Sequence, residues 1–148
     1  VWIRRRKAGA VARDDLARRL RALVHVVDQA VLAQQAAERV IAECCRPGTT
    51  SADLARRGGR VISEYAYLHE NAVELFGDAG PGSLPERVIE LLMYHVETVD
   101  ECLKLAFPRF WCAPSEGHRH SGLGEPARTL REAGIVLQMW IDELETTS

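Results

Sequence analysis

Apolar residues return at alternating steps of three and four along four stretches of this chain, and Pro- or Gly-bearing breaks separate the stretches. Such spacing gathers the apolar residues on one face of a helix. Four helices of that kind must bury their faces against one another. The fold class expected is therefore all-α: an antiparallel up-down four-helix bundle with a long first helix. The first stripe reads Leu16, Leu20, Leu23, Val27, Ala30, Gln34, Ala37, Ile41 and Cys44, close to the ~3.5-residue repeat of helices that pack along a seam.

Breaker and cap residues set the expected boundaries. Helix one should run from about Ala10 to Cys45 and stop at Arg46-Pro47-Gly48, where proline cannot continue the hydrogen-bond ladder. Helix two follows Thr49-Thr50-Ser51, with Thr50 and Asp53 at capping-box spacing, and reaches about Phe76. Its seam is Leu54, Gly58, Val61, Tyr65, Leu68, Ala72 and Leu75, and Gly58 on that seam implies a close helix approach. Ser83-Leu84-Pro85-Glu86 carries the strongest start signal, Ser at N-cap and Glu at N3. Helix three continues to about Phe107 with Val88, Leu92, His95, Val99, Cys102 and Ala106 inward. Helix four starts at Pro126 with Leu130, Gly134, Leu137, Ile141 and Leu144 inward and Trp140 beside them.

A chain of 148 residues suits one domain and can bury a sizeable core. Residues 1–9 read as a basic N-terminal segment and residues 10–148 as a single helical-bundle domain. No stretch approaches the ~20 apolar residues of a membrane span, and no signal-peptide core is visible, so a cytoplasmic location with reduced thiols at Cys44, Cys45, Cys102 and Cys112 is expected. Seventeen of the nineteen basic residues are Arg, a usage that points to a GC-rich, bacterial genome.

Charge is split along the chain. Residues 1–21 carry eight basic side chains against Asp14 and Asp15, whereas residues 22–148 carry eleven against nineteen acids. Most of the positive end is Arg4, Arg5, Arg6 and Lys7, the candidate interaction residues for an anionic surface or an acidic partner. The acidic remainder disfavours nucleic acid. A first helix longer than its neighbours, with Leu16, Leu20 and Leu23 on its seam, calls for a homo-oligomer or a protein partner to cover it. Gln34 on the same seam either sets register between chains or bonds a neighbouring helix within one chain.

Catalytic signatures are sparse. No phosphate loop, dinucleotide fingerprint, nucleophile elbow or paired-carboxylate pattern is present, and no cofactor is implied. His95 and Asp100 have the spacing of one ligand pair of hemerythrin-like bundles, but Val73 follows His69 where such a site needs Glu. Ala22, Ala66 and Leu92 stand where a ferritin-like site needs Glu before His25, His69 and His95. His95 therefore reads as a core histidine. Cys44 or Cys45, Cys112, His118 and His120 fall near one bundle end and have the ligand chemistry of a zinc site, without CxxC or HxxxH spacing. Arg19 and His25 have a spacing similar to the Arg-x(4-6)-His motif of HEPN ribonucleases, differing from it in the apolar Leu20 after the Arg. That resemblance implies an Arg and a His acting on RNA. From the residues themselves the function expected is a non-catalytic interaction or assembly module, with a HEPN-like ribonuclease and a membrane-tethered domain as alternatives.

Overall fold

The computed structural model describes residues 2–46, 48, 50–107 and 120–147, the first four of these by backbone alone. Cys112 and His118 lie outside the described residues. The chain is all-α: α1 (Trp2–Cys44), α2 (Ala52–Phe76), α3 (Leu84–Ala106) and α4 (Glu125–Thr146), with no strand among the described residues. At 43 residues α1 is about 65 Å long, against 25 or fewer residues for each of the others.

α1 begins at Trp2, not near Ala10, and runs unbroken across the expected boundary at residue 9. Arg, Lys and Ala favour helix without needing a buried face, so a boundary placed by the apolar stripe stops where the stripe stops. The start of α2 is also corrected. Ser51, not Thr50, is the N-cap: its Oγ accepts from the Leu54 amide at 3.1 Å. Asp53 does not reach back to the cap. It accepts from Arg57 Nε at 2.8 Å and from Arg56, and these bonds, Arg57 foremost, hold its carboxyl below the usual range. At α3 the expected cap is present, with Ser83 Oγ accepting from the Glu86 amide at 3.3 Å. Glu86 Oε2 accepts from the amide of Gly82, one residue before the cap, at 3.0 Å.

Inward positions follow the stripes closely. Leu20, Leu23, Val27, Ala30, Gln34, Ala37 and Ile41 of α1 are buried, and so are Leu54, Gly58, Val61, Tyr65, Leu68 and Ala72 of α2. Val88, Leu92, His95, Val99 and Cys102 of α3 and Leu130, Leu137 and Ile141 of α4 complete that set. Phe76 takes the last inward place of α2 while Leu75 is half-buried, and Ala133 takes the place expected for Gly134. Gly134 is the point where α4 lies close to α1, since a Cβ there would stand 3.0 Å from Val27 Cγ1. Gly58 does the same between α2 and α3: a Cβ would lie 2.6 Å from Leu103 Cδ1.

α1 touches each of the other helices; α2 and α4 both touch α3 but not each other among the described residues. Arg19 meets Leu75, Tyr65 meets Ala30 and Arg57 meets Glu43, so α2 positions fall as α1 positions rise. α4 does likewise, through Arg21 with Glu145 and Gln34 with Ala127. Leu20 and Leu23 are thus covered within the chain, and the expectation that they await a second chain is overturned. What lies beyond the bundle is the part of α1 before Ala17, its first buried residue.

Candidate functional site

Three places concentrate chemistry. In the core, Gln34 and His95 face each other from α1 and α3. His95 Nδ1 lies 2.7 Å from the Leu91 carbonyl, which can only accept, so the proton sits on Nδ1 and Nε2 accepts from Gln34 Nε2 at 3.3 Å. Gln34 Nε2 also donates to the Ala127 carbonyl at 3.1 Å, and its Oε1 accepts from Arg131 at 3.0 Å. Tyr65 stacks at a tilt on His95 with centroids 5.1 Å apart and donates to the Ala30 carbonyl at 2.7 Å. Burial lowers the His95 pKa and raises that of Tyr65. Each group is neutral and partnered, which describes a core that fixes helix register. Gln34 thus bonds within the chain, and His95 is a core histidine held by two hydrogen bonds. Asp100 does not converge with His95; it pairs with Lys104 at 2.8 Å.

At the opposite end from the start of α1, Cys44, Cys45, Cys102 and His120 line a cavity of about 270 Å³. Cys45 Sγ donates to the His120 carbonyl at 3.2 Å, and His120 Nε2 lies 2.9 Å from Glu101 Oε2. Glu38 accepts from the Leu123 amide at 3.1 Å and so fixes the same return segment to α1. Burial pushes the Cys44 thiol up to about 11 and the Cys102 thiol up to about 12. Thiols held protonated in this way are poor nucleophiles at neutral pH. Cys45 and His120 come together as expected, with Cys102 added, but no group of three or more His, Cys, Asp or Glu among the described residues is arranged to hold a metal ion.

The third place is the surface around the projecting part of α1. Every residue from Arg6 to Asp14 is exposed. Of the expected interaction residues, Arg6 and Lys7 are on this solvent-facing stretch, and Arg4 and Arg5 occupy helical positions whose side chains lie outside the described residues. Where α1 enters the bundle, Leu16 and Leu20 share a groove with Trp140 and Leu144. From there an apolar strip continues along α4 through Val136, Met139 and Ile135, all exposed. This strip escaped the sequence reading because a seam is sought on one face only. The pairs Ile135/Met139 and Val136/Trp140 at four-residue spacing were its available signal.

Arg19 and His25 are placed apart. Arg19 Nε donates to the Leu75 carbonyl at 3.0 Å and its guanidinium lies 4.4 Å from the centre of the Phe76 ring, while His25 is exposed. Arg19 thus closes the C-terminal end of α2, where carbonyls lack helical partners. Among the described residues no helix is long and apolar enough to cross a membrane. No family model, no curated protein and no solved structure matches this chain.

Proposed function

We propose that this chain is a non-catalytic interaction and assembly module in which an up-down antiparallel four-helix bundle carries the projecting N-terminal part of α1 as its contact element. The observation behind this reading is the unbroken exposure of Arg6 to Asp14 on a helix that continues about 22 Å beyond the bundle. An isolated helix of that length is marginal in water, and its stability rises when a partner covers it. The charge contrast supports the same element. The projecting part is basic and the bundle acidic, so an approaching acidic surface meets the projection first. At physiological salt the ~8 Å screening length is well short of that projection, which separates the bundle's own charge from the contact.

The test replaces Arg4, Arg5, Arg6 and Lys7 with Gln and follows association, by mass and by binding to anionic vesicles, across a salt series. The expected outcome is association that weakens steeply with salt and falls at least tenfold in the variant, with the thermal midpoint unchanged. Association equal in both proteins, or absent from both, would make the segment a solvated end with no contact role.

A further inference from the structure

Three thiols meet at the end of the bundle away from the start of α1. Cys44, Cys45 and Cys102 are free, and with His120 they line one cavity. The main chain of His120 touches two of them. Its carbonyl accepts from Cys45 Sγ at 3.2 Å. At Cys102, burial raises the thiol and a main-chain hydrogen bond from His120 partly opposes that rise. The breadth of one residue therefore separates Cys45 from Cys102. Their settings differ: Cys45 is exposed and follows the last residue of α1, whereas Cys102 is 4% exposed within α3. A reagent in solution meets Cys45 first, and Cys102 is shielded from it.

We propose that Cys45 and Cys102 form a site of thiol–disulfide exchange, at which a low-molecular-weight disulfide is reduced and the ends of α1 and α3 become linked. In the first step the Cys45 thiol gives its proton to solvent and its sulfur attacks one sulfur of the reagent R–S–S–R. A bond forms between Cys45 Sγ and S–R, the S–S bond of the reagent breaks, and the departing RS⁻ takes up a proton. In the second step Cys102 loses its proton and its sulfur attacks Cys45 Sγ. The Cys45–Cys102 bond forms, the bond to S–R breaks, and a second RS⁻ leaves and is protonated. Two protein thiols are oxidised, one disulfide is reduced to two thiols, and no proton is gained or lost overall.

Each thiol's role follows from its place. Attack needs a thiolate that the reagent can reach, and of the three thiols in the cavity Cys45 is the exposed one. Burial raises Cys102 to about 12, so its step is the slower, but that step is intramolecular and needs little intrinsic reactivity. Cys44 cannot close on Cys45, because neighbouring Cα atoms lie ~3.8 Å apart, below the ~4.4 Å at which ordinary disulfides begin. Helix ends fray, which gives Cys45 the freedom to reach Cys102. Once linked, Cys45 has no proton to donate to the His120 carbonyl. The chain from Cys45 to Cys102, with all of α2, becomes a closed loop, and long closed loops bring a disulfide its larger stabilising effects.

This site is independent of the reading of α1 as a contact element. The test incubates the 148-residue chain at low micromolar concentration with 2-hydroxyethyl disulfide, quenches with acid over time and maps the cysteines by peptide mass spectrometry without reduction. The expected course is a mixed disulfide at Cys45 that converts to an intramolecular Cys45–Cys102 link. The linked chain should melt at least ~5 °C above the reduced one. In Cys45→Ser, modification of Cys102 should slow at least tenfold, and in Cys102→Ser the mixed disulfide at Cys45 should persist. Circular dichroism checks that both variants fold, and the map of the parent chain decides the pairing even where Cys102→Ser does not. A mixed disulfide at Cys45 that never closes, or closure onto Cys44 or Cys112, overturns the pairing with Cys102. Modification of Cys102 at the parent rate in Cys45→Ser overturns Cys45 as the point of entry. A link that leaves the midpoint unchanged contradicts the fastening of α1 to α3.

Discussion

The two parts of α1 are one helix under two regimes. From Ala17 to Cys44 it is held from outside: Leu23, Ala30, Ala37 and Ile41 have no exposed area, and neighbours from three helices close around them. From Arg6 to Leu16 no position is buried, and helix rests on local propensity and on pairs such as Arg18 with Asp15, worth little at an exposed site. The difference teaches that continuity of backbone is not continuity of stability. The first region gains its order from the fold, whereas the second is exposed to solvent along its length.

The largest expected contrast is between an apolar side chain inside the bundle and one on the projecting part of the same helix. Leu23→Ala removes a fully buried side chain and should cost about 2–5 kcal/mol, the usual range for a core Leu. Val11→Ala should stay within ~0.5 kcal/mol, as exposed substitutions do. Urea unfolding of both at submicromolar concentration checks this, and equal effects would erase the distinction between the regions.

A smaller effect should come from the polar centre of the bundle. Gln34→Leu leaves His95 Nε2, Arg131 and the Ala127 carbonyl without their partner and should cost about 1–3 kcal/mol. The same centre makes stability depend on pH. Because burial lowers the folded-state pKa of His95 from 6.5, the unfolded chain takes up a proton there before the folded chain does. This contribution is therefore fully present above about pH 6.5 and is lost as pH falls toward the folded value. Unfolding followed from pH 8 to 5 should show a decline that His95→Gln reduces, while removal of residues in the projection leaves it unchanged. A decline unaffected by His95→Gln would assign it to other groups.

The smallest contrast sharpens the view of the interior. Gly58 and Gly59 are adjacent in α2, but a Cβ at Gly59 meets nothing within 4 Å whereas one at Gly58 meets Leu103. Gly59→Ala should stabilise by up to ~1 kcal/mol through helix propensity. Gly58→Ala should forgo that gain because Leu103 must move. Thermal midpoints of the two variants decide it, and equal gains would mean that α2 and α3 do not need the close approach.

Much of the bundle was legible from spacing because burial and periodicity have the same cause: Leu20, Val27, Val61, Leu92 and Leu137 are inward since a helix turns them there. What had no stripe was harder to see. The first turns of α1 are helical with nothing to bury, and Ser51 and Thr50 are cap residues of near-equal merit that only backbone geometry separates. Burial of Gln34 could be read from its register, but its partners Arg131 and Ala127 depend on how α4 docks. The meeting of Cys102 with Cys45 and His120 is likewise set by tertiary approach and not by spacing. For the candidate contact element, the cationic cluster was visible as charge, whereas the exposed strip of Ile135, Val136 and Met139 became visible only once the buried face of α4 was assigned.

The division of α1 is tested most directly by hydrogen exchange along that single helix at two protein concentrations. Amides from Ala17 to Cys44 should exchange slowly at both. Those from Lys7 to Leu16 should exchange quickly in dilute solution and become protected as concentration rises into the range where the chain associates. Protection of residues 7–16 equal to that of the bundle at the lowest concentration, or none at the highest, would contradict the assignment of this segment as the contact element.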